Sequence, residues 1–322
     1  MNSPVFLSLV PVVLLIAIGF IAGRAGWIRA AGTKDLANLV FLVLTPVLLF
    51  RTMSQVRIEQ LDFRPVLAYF VGAFVLFGLT LLVQGFNRRG AVLALAATFS
   101  NTVMIGIPLV SLMYGPEGLV TLLTLISVHA LVLLTSAVVV LELAVAREQS
   151  LVPGASPDRA AMRRRSVSTV LTALRNAVLH PVPLPILCGL LFAQTSLHIP
   201  LVVDRPLELL GNAFGPLALL LVGATLAQSA MGRHWRQALA LTGVKNLLHP
   251  LAVAVLCRLL GVGGVPMAAM VLVAALPIGA NVFMFSQRYE VAEDLVTASV
   301  LVSTVLALPT LALVVVVLPL LG

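Results

Sequence analysis

FSNTVMIGIPLV, at residues 99–110, interrupts a long apolar run that extends over residues 91–113. Proline lacks an amide proton and its ring crowds the carbonyl four residues earlier, while glycine weakens a helix. Pro108 and Gly106 therefore predict a membrane helix that unwinds between Asn101 and Pro108. In hydrocarbon, freed backbone groups are tolerated only inside protein or beside a water-filled cavity, so the interruption indicates a polar position at mid-depth.

ALPIGANVF, at residues 275–283, interrupts a second apolar run, 267–289, in the other half of the chain. It also combines a proline, a glycine and an asparagine, whose amide both donates and accepts hydrogen bonds. Interrupted helices in corresponding positions of two halves are typical of transporters whose substrate lies between the interruptions. The candidate substrate-binding residues at the two interruptions are Asn101, Thr102, Gly106, Pro108, Pro277, Gly279 and Asn281.

The composition is that of a membrane protein. Of the 322 residues, 60% are hydrophobic and 10% are charged, and the mean hydropathy is +1.11, whereas roughly 25% of a soluble domain is charged. A net charge of +8 would suit nucleic acid, but the basic residues lie between apolar runs, so we expect no nucleic-acid partner. Cys188 and Cys257 have no metal-ligand spacing, and we predict neither a metal site nor a cofactor.

A transmembrane helix needs about 20 apolar residues, which predicts an all-α polytopic membrane protein with about ten such helices. The predicted spans are Pro4–Ala22, Leu36–Met53, Pro65–Phe86, Ala91–Met113, Leu119–Ala146, Thr169–Thr195, Pro206–Ala230, Gln237–Leu260, Pro266–Tyr289 and Leu295–Leu321. The stretch 147–168 contains prolines, a glycine and a cluster of arginines, and we interpret it as a flexible cytoplasmic linker. It separates a first five-helix repeat, 1–146, from a second, 169–322.

The distribution of lysine and arginine predicts the orientation of the chain. Most of the basic residues fall on the same side of the predicted helices as the linker, and that side is expected to face the cytoplasm. Both termini are then extracytoplasmic, and the protein is expected in the inner (plasma) membrane of the cell. Because each repeat has an odd number of helices, the two repeats are predicted to be inverted relative to each other.

Several motifs resemble those of the auxin efflux carrier family, in its prokaryotic branch. They are Asn101-Thr102, Ile105-Gly106-Ile107-Pro108-Leu109, Tyr114-Gly115, Gly215-Pro216-Leu217-Ala218-Leu219, Gly223-Ala224 and Pro277-Ile278-Gly279-Ala280-Asn281-Val282-Phe283. The resemblance extends over nearly the whole chain and is most specific between Asn101 and Pro108. The linker here is shorter than the regulated loop of many plant members, so the resemblance does not extend to regulation by that loop.

The resemblance implies a fold shared with sodium/proton antiporters and bile acid symporters, in which the broken helices 4 and 9 cross. It also implies that helices 1, 2, 6 and 7 form a scaffold, usually as a homodimer, against which the other helices move as an elevator. Members of the family carry organic anions, including indole-3-acetate and small dicarboxylates such as malate or malonate.

A crossing of the breaks would bring half-helix N-termini together, each equivalent to about half a positive charge, beside the amides of Asn101 and Asn281. The positive electrostatic potential of these helix ends would favour binding of a carboxylate. Lys245 and Asn246, in the eighth predicted helix, are further candidate binding residues because they add a cation and an amide at membrane depth. An intramembrane lysine is usually functional, although Lys245 could instead extend to the cytoplasmic interface.

Coupling to an ion is not evident from the sequence. Apart from Glu142, the acidic residues lie at or beyond the predicted helix ends, so no carboxylate pair accompanies the breaks. His129, His180 and His249 are interpreted as structural imidazoles with satisfied hydrogen bonds. A proton could still be carried by a histidine or by the substrate itself.

These patterns predict a secondary active transporter, an elevator-type carrier, for a small organic anion such as a carboxylate or an auxin-like acid. Its other expected partners are the lipid bilayer and a second copy of the chain. An anion channel or a membrane-embedded sensor on the same fold is the alternative, because paired broken helices can also line a pore. No motif such as GxSxG or HExxH is present, so no enzymatic activity is predicted.

Overall fold

The structure is a computed structural model that describes residues 4–150, 182–195, 197–228 and 234–321, together with residues 168 and 171. This part of the chain is helical and contains no strand. In chain order the α-helices are α1 (Pro4–Arg24), α2 (Ala30–Leu39), α3 (Thr45–Met53), α4 (Arg64–Gln84), α5 (Arg88–Ala96), α6 (Ile107–Ser150), α7 (Pro183–Ala193), α8 (Leu201–Gln228), α9 (Trp235–Gly243), α10 (His249–Leu259), α11 (Gly264–Ala274), α12 (Asn281–Arg288) and α13 (Glu293–Leu321). Wide π-helical turns join α2 to α3 (Val40–Leu44) and α9 to α10 (Val244–Leu248), and a third, Thr102–Gly106, precedes α6.

Six helical segments of the described chain are long and apolar enough to cross a membrane. They are Ala30–Met53, Arg64–Gln84, Thr102–Glu148, Leu201–Gln228, Trp235–Leu259 and Glu293–Leu318. The second interrupted span falls short because it is divided into half-helices, of which Gly264–Ala274 is one. Thr102–Glu148 contains the second half of the first interrupted span and the fifth predicted span, joined across a kink at Gly115, whose φ is 59°. The first part of the sixth predicted span, apart from residue 171, and most of the predicted linker lie outside the described residues. Helix α6 continues to Ser150 and so includes the first residues assigned to the linker.

Proline positions explain all three π turns. Each turn ends two residues before a proline, namely Pro46, Pro108 or Pro250. The residue before each proline donates its N–H to the carbonyl five residues earlier, as Ile107 does to Thr102. The wide turn thereby moves the backbone away from a proline ring that would clash with the carbonyl four residues earlier in an α-helix.

The position predicted for the first interruption is therefore wrong. Pro108 is the second residue of α6, so it lies inside a helix and not in unwound backbone. The segment without regular structure is residues 97–101, which we call the first break. The second break is residues 275–280, and here Pro277 does lie within the unwound segment, as predicted.

Two groups of helices are distinguished by their mutual contacts. In one, α1 packs along α8, and α3 packs against α7 and α8. In the other, α4, α5 and α6 pack with α9, α10, α11 and α13. Glycines bring α1 and α8 close together, because a Cβ atom added at Gly19 would collide with the carbonyl of Leu220, and one added at Gly223 with the carbonyl of Ile16. Small residues commonly permit such close helix packing in membranes.

Candidate functional site

The two breaks lie side by side as a short antiparallel pair. The N–H of Asn101 donates to the carbonyl of Pro277 at 2.9 Å, and the N–H of Gly279 donates to the carbonyl of Phe99 at 3.0 Å. Backbone groups freed by the interruption of one helix are thus satisfied by the interruption of the other. This exchange allows irregular backbone to exist inside the protein.

Glycine is needed where the breaks approach most closely. A Cβ atom at Gly279 would lie 2.7 Å from the ring of Phe99, and one at Gly106 would lie 2.9 Å from a terminal methyl group of Leu276. Both predicted site glycines are buried. Their structural role is therefore to let the breaks touch, and neither offers a side chain to a substrate.

Asn101 and Asn281 occupy similar places in the two interrupted helices. Asn101 directly precedes the π turn that begins the second half of the first helix, and Asn281 is the first residue of α12. Both residues are only partly buried, and Ala280, which precedes Asn281 in the chain, is exposed. Within the described part of the chain, neither side-chain amide makes a hydrogen bond. The two amides are thus open to a ligand at the point where two half-helices begin.

The other residues predicted at the breaks are buried. Thr102, 5% exposed, begins the π turn, and Pro277 lies in the second break. Pro108 faces α8, since its Cβ atom would lie 3.6 Å from a Cβ atom added at Gly215. These residues shape the site and its contact with α8, whereas Asn101 and Asn281 present polar groups to its accessible side.

Lys245 is bound to the second break. Its Nζ donates to the carbonyl of Ala274 at 2.6 Å and to the carbonyl of Leu276 at 2.7 Å. These carbonyls lie at the C-terminal end of α11, where backbone acceptors are left without helical partners and the helix dipole is negative. The residue is 0% exposed, so the alternative that Lys245 extends to the membrane interface is wrong.

Asn246 faces a different neighbour. Its Nδ2 donates to the carbonyl of Ser303 at 3.0 Å and lies 3.4 Å from the Thr310 hydroxyl. Ser303 in turn accepts a hydrogen bond from the N–H of Ile278, at 3.1 Å. Asn246 is 0% exposed, so the structure connects it to α13 and, through Ser303, to the second break.

A buried hydroxyl and imidazole cluster supports the first break. The Tyr69 hydroxyl lies 2.8 Å from the Ser100 hydroxyl and 3.1 Å from Nε2 of His129. His249 packs against the Tyr69 ring, with 4.9 Å between the ring centroids. Tyr69 is not among the residues predicted for the site, although a tyrosine within an apolar span is a signal, since a buried hydroxyl requires a partner.

The prediction of satisfied histidines is correct for His129 and wrong for His249. Both ring nitrogens of His249 are buried without a hydrogen-bond partner among the described residues. His249 directly follows the π turn and precedes Pro250, and its imidazole is held against an aromatic ring instead of a polar group. His180 lies outside the described residues.

Acidic side chains do not accompany these groups. The ion pairs of the described chain are Arg51–Asp204, Arg64–Asp62, Arg88–Glu148 and Arg205–Glu208. None involves Lys245, and no cluster of metal-ligating side chains occurs in residues 4–150, 182–195, 197–228 and 234–321 with 168 and 171. The site therefore combines side-chain amides and helix N-termini beside one buried lysine amine, a set suited to an anion.

Comparison with known proteins agrees with this chemistry. A family model described as "Membrane transport protein" matches residues 4–315. The chain is 26% identical over 314 residues to a "Putative malonate transporter" of Rhizobium meliloti (strain 1021), covering 92% of this chain and 90% of the relative. It is 22% identical over 345 residues to "Auxin efflux carrier component 8" of Arabidopsis thaliana, covering 94% of each. A "Lysosomal cholesterol signaling protein" of Mus musculus is 24% identical over 316 residues, which are 92% of this chain and 35% of that protein.

Proposed function

The chain belongs to the membrane transport protein family, and from this premise we propose that it is an elevator-type secondary active transporter that moves a small organic anion across the inner membrane. The predicted relationship to the auxin efflux carriers is confirmed, and the protein is a transporter and not an enzyme. The observation that carries the proposal is the placement of two unpaired amides, from Asn101 and Asn281, at the starts of two half-helices that meet.

Electrostatics favours an anion at this position. The first N–H groups of a helix have no partner inside it and carry the positive end of its dipole. Two such ends begin at Thr102 and Asn281, on either side of the paired breaks. A carboxylate can accept from both side-chain amides while the positive ends of the two half-helix dipoles attract it, which resembles carboxylate binding by broken helices in other transporters.

The names of two relatives favour carboxylates as the substrate class. Malonate is a small dicarboxylate, and the auxin indole-3-acetate is a larger monocarboxylate. The relative named for malonate matches this chain over nearly its whole length. We therefore propose a small dicarboxylate such as malonate as the first substrate to test, with indole-3-acetate as the comparison.

The division into two groups of helices supports an elevator. We propose that α1, α2, α3, α7 and α8 form a fixed scaffold, through which two copies of the chain associate. The group that contains both breaks would move against it as one body, as inverted five-helix repeats allow. Pro108 against Gly215 marks a contact between the moving group and α8 in this arrangement.

Transport by a purified protein tests the proposal. Reconstituted in liposomes, the protein should take up radiolabelled malonate with saturation, and unlabelled malonate on the opposite side should accelerate uptake. A channel would instead give a current far above the turnover of a carrier and no acceleration by substrate on the opposite side. Binding without any flux would favour a sensor, the reading to which the cholesterol signaling relative points.

The proposed orientation has a separate test. With the exposed Cys188 replaced by serine, single cysteines at Ser3 and Ser156 can be labelled in intact cells with an impermeant thiol reagent. If both termini are extracytoplasmic, as the basic residues predict, only the cysteine at position 3 reacts. Labelling at position 156 alone would show that the orientation is reversed.

A further inference from the structure

One face of α12 is uncovered from the second break to the end of the helix. The opposite face is packed into the protein through the buried residues Val282 and Ser286. The uncovered side chains recur at intervals of three or four residues and therefore share one side of the helix. We call them the open face of α12: Ala280, directly before the helix, and Met284, Gln287 and Arg288. Asn281, which is partly buried, lies at the start of this face.

The composition of the open face differs from that of a face turned to lipid. Helix α4 also has an uncovered face, and every residue on it is apolar: Leu67, Val71, Phe74, Val75 and Leu79. The open face of α12 instead includes an amide and a guanidinium group, from Gln287 and Arg288, and begins beside the amide of Asn281. Polar and charged side chains within membrane segments usually face a water-filled cavity or the interior of the bundle. The open face is therefore suited to border water.

The two sides of the site are covered to different extents. On one side, the π turn Thr102–Gly106 and the start of α6 pack against α8, and residues 104–110 are all buried. On the other side, α12 packs against α5 and α13, and Met284 is 65% exposed. The amides of Asn101 and Asn281 are thus covered by α8 in the direction of α6 and are accessible along α12.

Hydrogen bonds place the far end of α12 beside the start of the predicted linker. Arg88 donates from Nε to the carboxylate of Glu148 at 2.6 Å, and its Nη1 lies 3.4 Å from the carbonyl of Tyr289, the residue after α12. The Tyr289 hydroxyl donates to Glu142 of α6 at 3.0 Å. Because α6 ends at Ser150, the open face leads from the breaks to the side of the protein on which the linker begins.

Helix geometry gives each residue of the open face a different distance from the amides. Met284 lies three residues after Asn281, one turn away and roughly 4.5 Å along the helix axis. Its flexible, polarisable thioether can adapt to ligands of different shape. Arg288 lies roughly 10 Å along the axis, and it takes part in none of the ion pairs of the described residues. An unneutralised positive charge at the opening of a cleft raises the local concentration of anions.

We propose that the open face of α12 is the path by which the anion reaches Asn101 and Asn281 from the linker side, and that Met284 contacts the bound anion. In this arrangement the protein is open to the linker side and closed by α8 on the other. Arg288 attracts the anion to the opening, and Met284 touches the part of it that the amides do not bind. The identity of the anion rests on the proposed function, whereas the accessibility of the path to water does not.

Cysteine reactivity tests the path without any substrate. The exposed Cys188 is replaced by serine, and the buried Cys257 remains. Met284→Cys, Gln287→Cys and Val75→Cys are then treated, in membranes, with a charged thiol reagent that does not enter hydrocarbon. Met284→Cys and Gln287→Cys should react at similar rates. Val75→Cys is the matched control, 53% exposed on the apolar face of α4, and it should not react. In intact cells and in inside-out vesicles, Met284→Cys should react only from the side that labels Ser156→Cys.

Malonate then tests the position of Met284. With malonate at about ten times its Kd, about nine-tenths of the protein is occupied, so the reaction of Met284→Cys should slow about tenfold. Gln287→Cys, a full turn further along the helix, should react at an unchanged rate. If malonate does not bind to the parent protein, the proposed substrate and its contact with Met284 both fail, but the reactivity measured without malonate still decides whether the path exists.

Three results would overturn the inference. A Met284→Cys variant as unreactive as Val75→Cys would show that lipid or a second copy of the chain covers the open face. Reaction only from the side opposite Ser156→Cys would show that the path opens the other way. Equal protection of Met284→Cys and Gln287→Cys by malonate would show that the whole face closes on binding, and would remove the evidence for direct contact with Met284.

Discussion

The two breaks share a plan and differ in the side chains that support them. Each follows one half-helix, contains a few unwound residues that are mostly buried, and precedes a second half-helix beside an asparagine whose amide is unpaired within the described chain. The first break is supported by neutral groups, the hydroxyls of Thr98 and Tyr69. The second is supported by the buried amine of Lys245. The common features suit binding of one substrate by both breaks, and the difference shows that a long lysine side chain supports only the second break.

The largest expected effect contrasts the two kinds of support. Lys245→Met leaves two buried carbonyls without a donor, at about 1–3 kcal/mol each, so the free energy of unfolding should fall by about 2–6 kcal/mol. Thr98→Val removes one neutral donor and should cost about 1 kcal/mol. Denaturant unfolding of both purified variants measures the difference. Equal losses would contradict the view that Lys245 supports its break more strongly than Thr98 does.

The glycines provide a second contrast between the breaks. Gly279→Ala places a methyl group against the Phe99 ring and near the carbonyl of Ser100, at 2.7 and 3.2 Å, and should cost about 1–3 kcal/mol through overpacking. Gly106→Ala meets the end of the flexible Leu276 side chain, which can move, so its cost should be smaller. The melting temperatures of the two variants give the order. A larger loss for Gly106→Ala would contradict this view of the packing.

The prolines should have the smallest effects, and unequal ones. Pro277 lies in unwound backbone, so Pro277→Ala adds conformational freedom to the second break in the substrate-free protein. The substitution should therefore weaken malonate binding about two- to fivefold. Pro108 lies within α6 after its π turn, so Pro108→Ala should leave affinity unchanged. Isothermal titration of both variants with malonate measures this. A greater loss of malonate affinity in Pro108→Ala than in Pro277→Ala would indicate that the first break extends to Pro108, as the sequence predicts.

Much of this architecture can be predicted from residue types. A proline and a glycine in an apolar run predict an interrupted helix, and the apolar composition predicts a membrane protein. Interrupted helices without acidic residues at mid-span favour an anionic substrate. The exact position of the first break could not be predicted, because the same proline is compatible with unwound backbone or with a π turn inside a helix. Residues 97–101 unwind because the second break supplies their hydrogen-bond partners, and that is a tertiary contact.

The contacts of individual side chains were harder to predict than the breaks. Lys245 and Asn246 are adjacent and were both predicted to bind substrate, yet Lys245 binds the second break and Asn246 binds α13. Tyr69 and Ser303 contact the breaks from distant parts of the chain, and no local pattern marks them. The register of helices against one another determines such contacts, and a hydrophobic run does not encode that register.

The central claim is that Asn101 and Asn281 bind the substrate together where the two breaks meet. Its most direct test is isothermal titration of malonate into purified wild type, Asn101→Ala, Asn281→Ala and the double variant, with Asn212→Ala, on an exposed position of α8, as the matched control. Each single variant should weaken binding by about tenfold or more, the loss of a hydrogen bond to a charged group, while the melting temperature without malonate stays near that of the wild type. The effects in the double variant should be non-additive if both amides bind one carboxylate. Wild-type affinity in both single variants would contradict the claim and place the substrate elsewhere.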